Sequence, residues 1–592
     1  MASAATIHCP LRERSQHWQG ANDSTKKTPV KLNLKSLSRS MARCTFSFIF
    51  LLLHFFLLQL TVTTAAARQN PGTVQRAQHQ TIEELLLQIY DEREREPLWV
   101  NLKGPTARAE VLLQTLKAAD LEGLNPADYR VTALTALWQD HSMKGLARLE
   151  VLLSQALVRY VIDQHRGISG AAPSDPENNR EKELTALLRE GLTAEDITAF
   201  LKQQSPQHKA YIGLKKALAT YRNLNDQGGW EPIAPGPPLK PGHQDPRLAD
   251  IARRLILTGD LRSETPISTL TYGPALVMAV KHFQMRHNLA ITGVVDDATL
   301  TAMNLPAPEI IRRILVNMER WRWLPRKMDG RRILVNITGF KLTVTEDETV
   351  QMTMPVIVGE LENATPVLSD RVRYIVLNPF WTIPPDIAER ETLPCQLADP
   401  NYLRTNNIRV FESWQAEAEE LEPEFIDWKR LGAGIRYFRL RQDPGPNNTL
   451  GQVKFMFPNK KNIYLHDTPA HDLFTRSTRT FSHGCIRLSK PVSLAAYLLQ
   501  DNRRPLDESA LQQIIASGER RVVHLDTPVP VHLTYQTVEA DPASGQLSFH
   551  KDIYDQDLGL AEALHSTRQN RRVTLPSSPI NVQQRLKRPQ KT

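Results

Sequence analysis

The sequence predicts a multidomain α+β chain: a helical scaffold and a small helical module, then a β-rich domain with an inserted helical cap. Three observations carry this. Apolar residues recur at helical spacing between 80 and 227, as in Ile82, Leu85, Leu86 and Ile89. From about 331 the period shortens to that of strands, in RRILVNITG, KLTVTEDETVQMTMPVIVG and VKFMFPNKKNIYLH. Between the two regimes the breaker-rich run GGWEPIAPGPPLKPG reads as a stiff linker, over 228–244. With 41% hydrophobic residues among 592, the chain can bury several cores and is not a disordered protein.

The chain opens on an export segment over 1–67. Basic residues precede the apolar run TFSFIFLLLHFFLLQL at 45–60, and Ala65-Ala66-Ala67 follows, the three-part pattern of a secretory signal. Met41 would begin a leader of ordinary length, so translation is expected to start there; the same run is alternatively a single membrane anchor. Six of the nine net positive charges fall in these first 67 residues, which removes the support for a nucleic-acid partner. A basic tail at 565–592 reads as solvated and disordered.

Four cysteines (Cys9, Cys44, Cys395 and Cys485) exclude a disulfide scaffold and a multi-cysteine zinc array. Cys395 and Cys485 are expected in an oxidising compartment without other partners, and not bonded to each other.

Residues 245–305 form a compact helical unit. Leu276, Val280 and Phe283 share a helix face, and Asp296-Asp297 supply caps for a further short helix. On pattern alone this unit is equally a helical spacer. The β-rich domain, 331–560, is interrupted at about 385–448 by a polar, helix-leaning insertion containing ESWQAEAEELEPEFIDWKRL. An insertion of that size reads as a lid, with Trp414, Phe425 and Trp428 available to cover a groove, or as a rigid decoration.

The chemistry-bearing residues converge late in the chain. Tyr464-Leu-His466-Asp-Thr-Pro precedes Phe481-Ser482-His483-Gly484-Cys485-Ile486-Arg487, with nineteen residues from His466 to Cys485. A thiol needs a neighbouring imidazole to react and donors to hold an oxyanion. Gly484 lets backbone approach a substrate closely, and Arg487 offers a fork for a carboxylate. Each residue also has an ordinary reading, as a buried thiol, a satisfied histidine or a surface ion pair. His466, His471, His483 and Cys485 lack the spacing of common zinc motifs, so no metal is expected.

The run YLHDTP through SHGCIRLS resembles the signature of the L,D-transpeptidase (YkuD-type) family. NMERWRWLPR at 317–326, TPVLSDRVRYIVLNPFWTIPPDI at 365–387 and YQTVEADPASGQLSFHKDIYDQD at 535–557 are similar to its large multidomain Gram-negative branch. AVKHFQMRHNLAITGVVDDATLTAMN resembles the peptidoglycan-binding module, with Asn288 where that family favours glycine. The resemblance implies a periplasmic enzyme of cell-wall biogenesis and cell shape, open to carbapenems and needing no cofactor. Cys485 would attack the meso-diaminopimelate carbonyl of a tetrapeptide stem, expel D-Ala, and pass the acyl group to a second stem's amine as a 3→3 cross-link. His466 would move protons, with a backbone carbonyl favoured over Asp467 as its orienter. His483 and Gly484 would support the oxyanion turn, and Arg487, Tyr464, Ser482 and Trp381 would contact substrate. Donor and acceptor stems are the implied partners, with other cell-wall synthesis enzymes open. A water-using L,D-carboxypeptidase or endopeptidase, and a non-catalytic wall-binding protein, remain as alternatives.

Overall fold

The computed structural model describes residues 85–573, apart from 87, 95, 171–178, 263–270, 327, 329 and 348. The export segment, Met41 and residues 574–592 lie outside the described residues, whereas 565–573, expected in the disordered tail, end the helix Gln556–Val573. From Leu98 onward the described chain is one compact unit. The short helical stretch within 85–92 belongs to another unit, in which Leu85 and Ile89, one turn apart, are buried.

Helices α1 (Ala107–Lys117), α2 (Met143–Arg166) and α3 (Lys209–Asp226) dominate the helical part. In α2 the local causes are plain. Ser142 caps its start by accepting from the Gly145 N–H at 3.0 Å. Leu146, Leu149, Leu153, Leu157 and Val161 bury one stripe, and Gly167 ends the helix at φ 80°.

The following module packs α4 (Leu248–Leu257), α5 (Pro274–Arg286) and α6 (Asp297–Met303) around Leu255, Val280, Phe283 and Met303. Asp296 caps α6 by accepting from the Thr299 N–H at 2.8 Å. Asn288 takes φ 53°, a left-handed conformation that asparagine tolerates in glycine's place. The Pro-rich segment before the module adds Ile233 and Leu239 to its core, Leu239 bridging to Val295.

Helix α7 (Ala307–Arg322) then carries an apolar stripe and a buried polar one. Ile310, Ile314, Met318 and Trp321 pack with α3 and with the hairpin strands Val538–Ala540 and Leu547–Phe549. On its polar side Asn317 exchanges hydrogen bonds with Thr537, both at 2.9 Å, and Arg320 meets Asp557 at 2.6 Å. Glu319, fully buried, accepts from the N–H groups of Ile168 and Ser169 at 2.7 and 2.9 Å and lies 3.2 Å from Arg322. The helical part and the β-rich domain thus share one polar seam.

The β-rich domain is built on nine strands: β1 (Arg331–Asn336), β2 (Lys341–Glu346), β3 (Thr349–Gly359), β4 (Leu368–Leu377), β5 (Val453–Met456), β6 (Leu465–His466), β7 (Thr480–Ser482), β8 (Ile486–Leu488) and β9 (Arg521–Thr534). Their order is β7-β3-β8-β6-β5-β4-β9-β1-β2. Because β2 also pairs with β3, eight of them close on themselves and protect their edges. Alternation sets what faces inward: Val453 and Phe455, Leu465, Ile486 and Leu488 join one core with Leu494 and Leu511 of the following helices. The intervening residues of β5, β6 and β8 therefore stand on the opposite face.

The insertion is mixed rather than purely helical. Helical turns over 385–398 lie beside a four-stranded antiparallel sheet ordered Trp381–Thr382, Arg439–Gln442, Ile408–Phe411, Glu420–Leu421. It closes its own core around Ile383, Leu403, Val410, Ile435 and Leu440. The glutamate-rich run lacks an apolar stripe and is broken at Pro423, so it forms a short strand and turns rather than one helix. Trp428 is spent in this core, whereas Trp414 and Phe425 are exposed.

Glu319→Gln removes the charge that balances buried Arg322 and should cost about 3 kcal/mol of stability. Urea unfolding of both proteins measures this; an unchanged midpoint would mean that the seam does not hold the helical part in place.

Candidate active site

Three short strands bring the predicted residues together. Antiparallel pairing sets Lys454 opposite His466, and parallel pairing sets His466 opposite Arg487. These three residues form one row across β5, β6 and β8. Tyr464 immediately precedes β6 and Cys485 immediately precedes β8, and the Tyr464 ring lies 5.6 Å from that of His466, centre to centre. The nineteen-residue interval is the crossover that parallel neighbours require, and it includes β7.

His466 is buried, and its Nδ1 lies 2.5 Å from the carbonyl oxygen of Asp467. That contact fixes the ring with Nδ1 as donor and leaves Nε2 as the basic nitrogen. The Asp467 carboxylate is occupied elsewhere, accepting from the N–H groups of Gln452 at 2.9 Å and Thr468 at 2.7 Å. Burial, then the Arg487 and Lys454 charges on either side, push His466 down to about 3. The imidazole is therefore neutral at ordinary pH. No hydrogen bond joins it to Cys485 among the described residues, a contact that catalytic pairs often complete only with substrate bound.

Cys485 is a free, half-buried thiol whose Sγ lies 3.8 Å from the Asn462 carbonyl oxygen. Burial pushes the thiol up; the Tyr464 N–H and hydroxyl, then Lys454 and Arg487, pull it down. Cys395 is buried in the short helix Leu393–Ala398 of the insertion and is not bonded to Cys485.

The turn before Cys485 is braced from inside. The Ser482 hydroxyl donates to the Cys485 carbonyl at 2.5 Å and accepts from the Gly484 N–H at 3.1 Å, so it serves the turn and is buried away from any substrate. Gly484, at φ 105°, occupies a conformation that only glycine takes readily. Its carbonyl accepts from Thr365 Oγ1 at 2.8 Å, and Thr365 Oγ1 in turn accepts from the Gly359 N–H at 2.9 Å. A methyl group on Gly359 would stand 3.0 Å from the Gly484 Cα and 2.0 Å from the Asn363 carbonyl oxygen. Tyr554 closes the web by donating to the Gly359 carbonyl at 2.5 Å. His483 points elsewhere: its Nε2 lies 2.5 Å from Glu391 of the insertion and 4.0 Å from Glu360. Trp381 sits in the insertion's sheet and packs on that core.

Sequence reasoning missed Lys454, Glu391, Thr365 and Gly359. Only the alternation in VKFM signalled that Lys454 faces away from the core; the others depend on distant segments. Among the described residues no three metal-ligating side chains gather.

Because the His466 value in the folded state lies below the unfolded one near 6.5, the unfolded chain binds the extra proton first as pH falls. Stability is thus complete above about 6.5 and is lost progressively toward 3, with about 2 kcal/mol gone at pH 5. A His466→Gln variant should lose less stability than wild type between pH 7 and 5. Equal losses by urea unfolding would contradict the buried neutral imidazole.

Residues 84–218 match the family model "Scaffold domain", 245–303 match "Putative peptidoglycan binding domain", and 330–531 match "L,D-transpeptidase catalytic domain". A "Putative L,D-transpeptidase" of Haemophilus influenzae is 32% identical over 255 residues, 43% of this chain and 50% of that protein. The chain thus spans about half the length of that relative. Among solved structures, an L,D-transpeptidase from Xylanimonas cellulosilytica aligns at 15% identity and TM-score 0.16, covering 51% of this chain and 99% of that one. An L,D-transpeptidase from Mycobacterium smegmatis aligns at 12% and 0.16, covering 35% and 58%. Residues 330–531 belong to the YkuD-type L,D-transpeptidase catalytic-domain family, in a chain that also carries a domain of the peptidoglycan-binding type.

Proposed function

We propose that this chain is a peptidoglycan L,D-transpeptidase with Cys485 as nucleophile, exported to the periplasm of a Gram-negative bacterium. The observation that carries the reading is the catalytic face itself: a free thiol, a neutral histidine and two cations on three adjacent strands of a domain of this family.

In the first half-reaction the sulfur attacks the diaminopimelate carbonyl of a donor tetrapeptide. A C–S bond forms, the amide bond to D-Ala breaks, and His466 passes the thiol proton to the leaving amine. In the second, an acceptor diaminopimelate amine attacks the thioester. The new C–N bond forms, the C–S bond breaks, and the amine proton returns to sulfur through His466. Arg487 and Lys454 disfavour the imidazolium that each step requires. A substrate carboxylate seated on Arg487 cancels one of those charges, which couples substrate binding to the basicity of His466. With the Gly484 amide held by Ser482, the Cys485 amide is the candidate oxyanion donor.

The insertion acts as a lid in this scheme. Glu391 brings its edge to His483, beside the thiol turn, where a cover would slow hydrolysis of the thioester before the amine arrives.

Incubating the purified chain with disaccharide-tetrapeptide and weighing the products tests the reading. Dimer formed with loss of D-Ala is expected; tripeptide monomer alone would make the protein a hydrolase, and no product a binder. His466→Ala should slow donor acylation by about 10²–10⁴. An unchanged rate would remove His466 from the mechanism.

A further inference from the structure

Lys454 has no part in the sequence motif, yet it occupies a telling position. It lies on β5 opposite His466, turned away from the core that takes Val453 and Phe455. Its ammonium sits 3.7 Å from the centre of the Tyr464 ring, and Tyr464 in turn faces the Cys485 sulfur. The residue is half-buried, and among the described residues no carboxylate comes within ion-pairing distance of it. A desolvated cation without an anionic partner is costly to keep. The charged and titratable groups around it are Cys485, Arg520, His466 and Arg487, with Tyr464 beneath it. Of these, only the thiol and the phenol can become anions, and burial holds the Tyr464 phenol well above its ordinary range.

We propose that Lys454 is a positioning residue that acts through Cys485: its ammonium, fixed on the Tyr464 ring, holds the negative charge of the thiolate. The inference deepens the transpeptidase reading and rests on Cys485 being its nucleophile. The roles then divide cleanly. Lys454 compensates the sulfur, and His466, neutral at rest, moves the protons. Burial pushes the Lys454 ammonium down while the thiol pulls it back up, the signs expected of such a pair. Screening by salt is weak for a pair held against a ring and half out of water.

The test is the pH profile of alkylation by iodoacetamide, a neutral reagent, read by mass spectrometry on the peptide that contains Cys485. Full-length wild type, Lys454→Met, Lys454→Gln and Lys454→Arg are compared, each checked for folding by thermal unfolding. Below the thiol's midpoint, Met and Gln should react about 10-fold more slowly than wild type, and all should converge at high pH. Arg, which restores the charge, should recover most of the rate. Wild-type profiles in the folded Met or Gln variant would overturn the proposal. A loss that Arg does not recover would overturn it too, since shape rather than charge would then be at work. Wild type is also incubated with disaccharide-tetrapeptide. Failure to form acyl-enzyme there would sink the transpeptidase reading while leaving the thiol titration to decide the charge pairing on its own.

Discussion

The structure depends on one helix that buries charge. Along α7, Asn317, Glu319, Arg320 and Arg322 are all removed from water, and each bonds to a different segment: Thr537, Ile168 with Ser169, Asp557, and the Glu122 carbonyl with Tyr211. Burying an unpaired ion costs several kcal/mol, so these partners must all be present together. Such a helix cannot dock in a shifted register, because one turn of slippage would strand every charge. It therefore fixes the helical part against the hairpin 538–549 and the helix after it, and through them against the closed sheet.

The same economy governs the catalytic turn. A side chain on Gly359 would collide with the Asn363 carbonyl and the Gly484 backbone, and Gly484 itself needs glycine for its φ of 105°. Thr365 and Tyr554 then supply the hydrogen bonds that a tight contact needs. The turn that carries Cys485 is thus braced by hydrogen bonds from two other segments. The insertion reaches this scaffold through Glu391, in a π-helical segment over 388–392, a distortion often found where a helix must aim a functional side chain.

Much of this was legible in the sequence. The run YLHDTP through SHGCIRLS singled out His466 and Cys485, and the strand period from about 331 marked the β-rich domain. Asp296 and Asn288 behaved as their chemistry predicts. Other features were hidden by distance. The meaning of Lys454 emerges only from the register of β5 against β6, and that of Glu391 from a contact 92 residues away along the chain. The insertion misled because a run rich in glutamate favours helix locally, while its few apolar residues were needed for a separate core. Ser482 looked available to substrate because its neighbours are reactive; its hydroxyl is consumed by the turn.

On the proposed mechanism, chemistry passes through the sulfur of Cys485. Its most direct measurement is peptide mapping by mass spectrometry after treatment with a carbapenem, whose strained carbonyl acylates a reactive thiolate. The full mass of the drug is expected on the peptide containing Cys485 and none on the Cys485→Ala protein. An adduct on any other residue, or one that persists in the Ala variant, would contradict it.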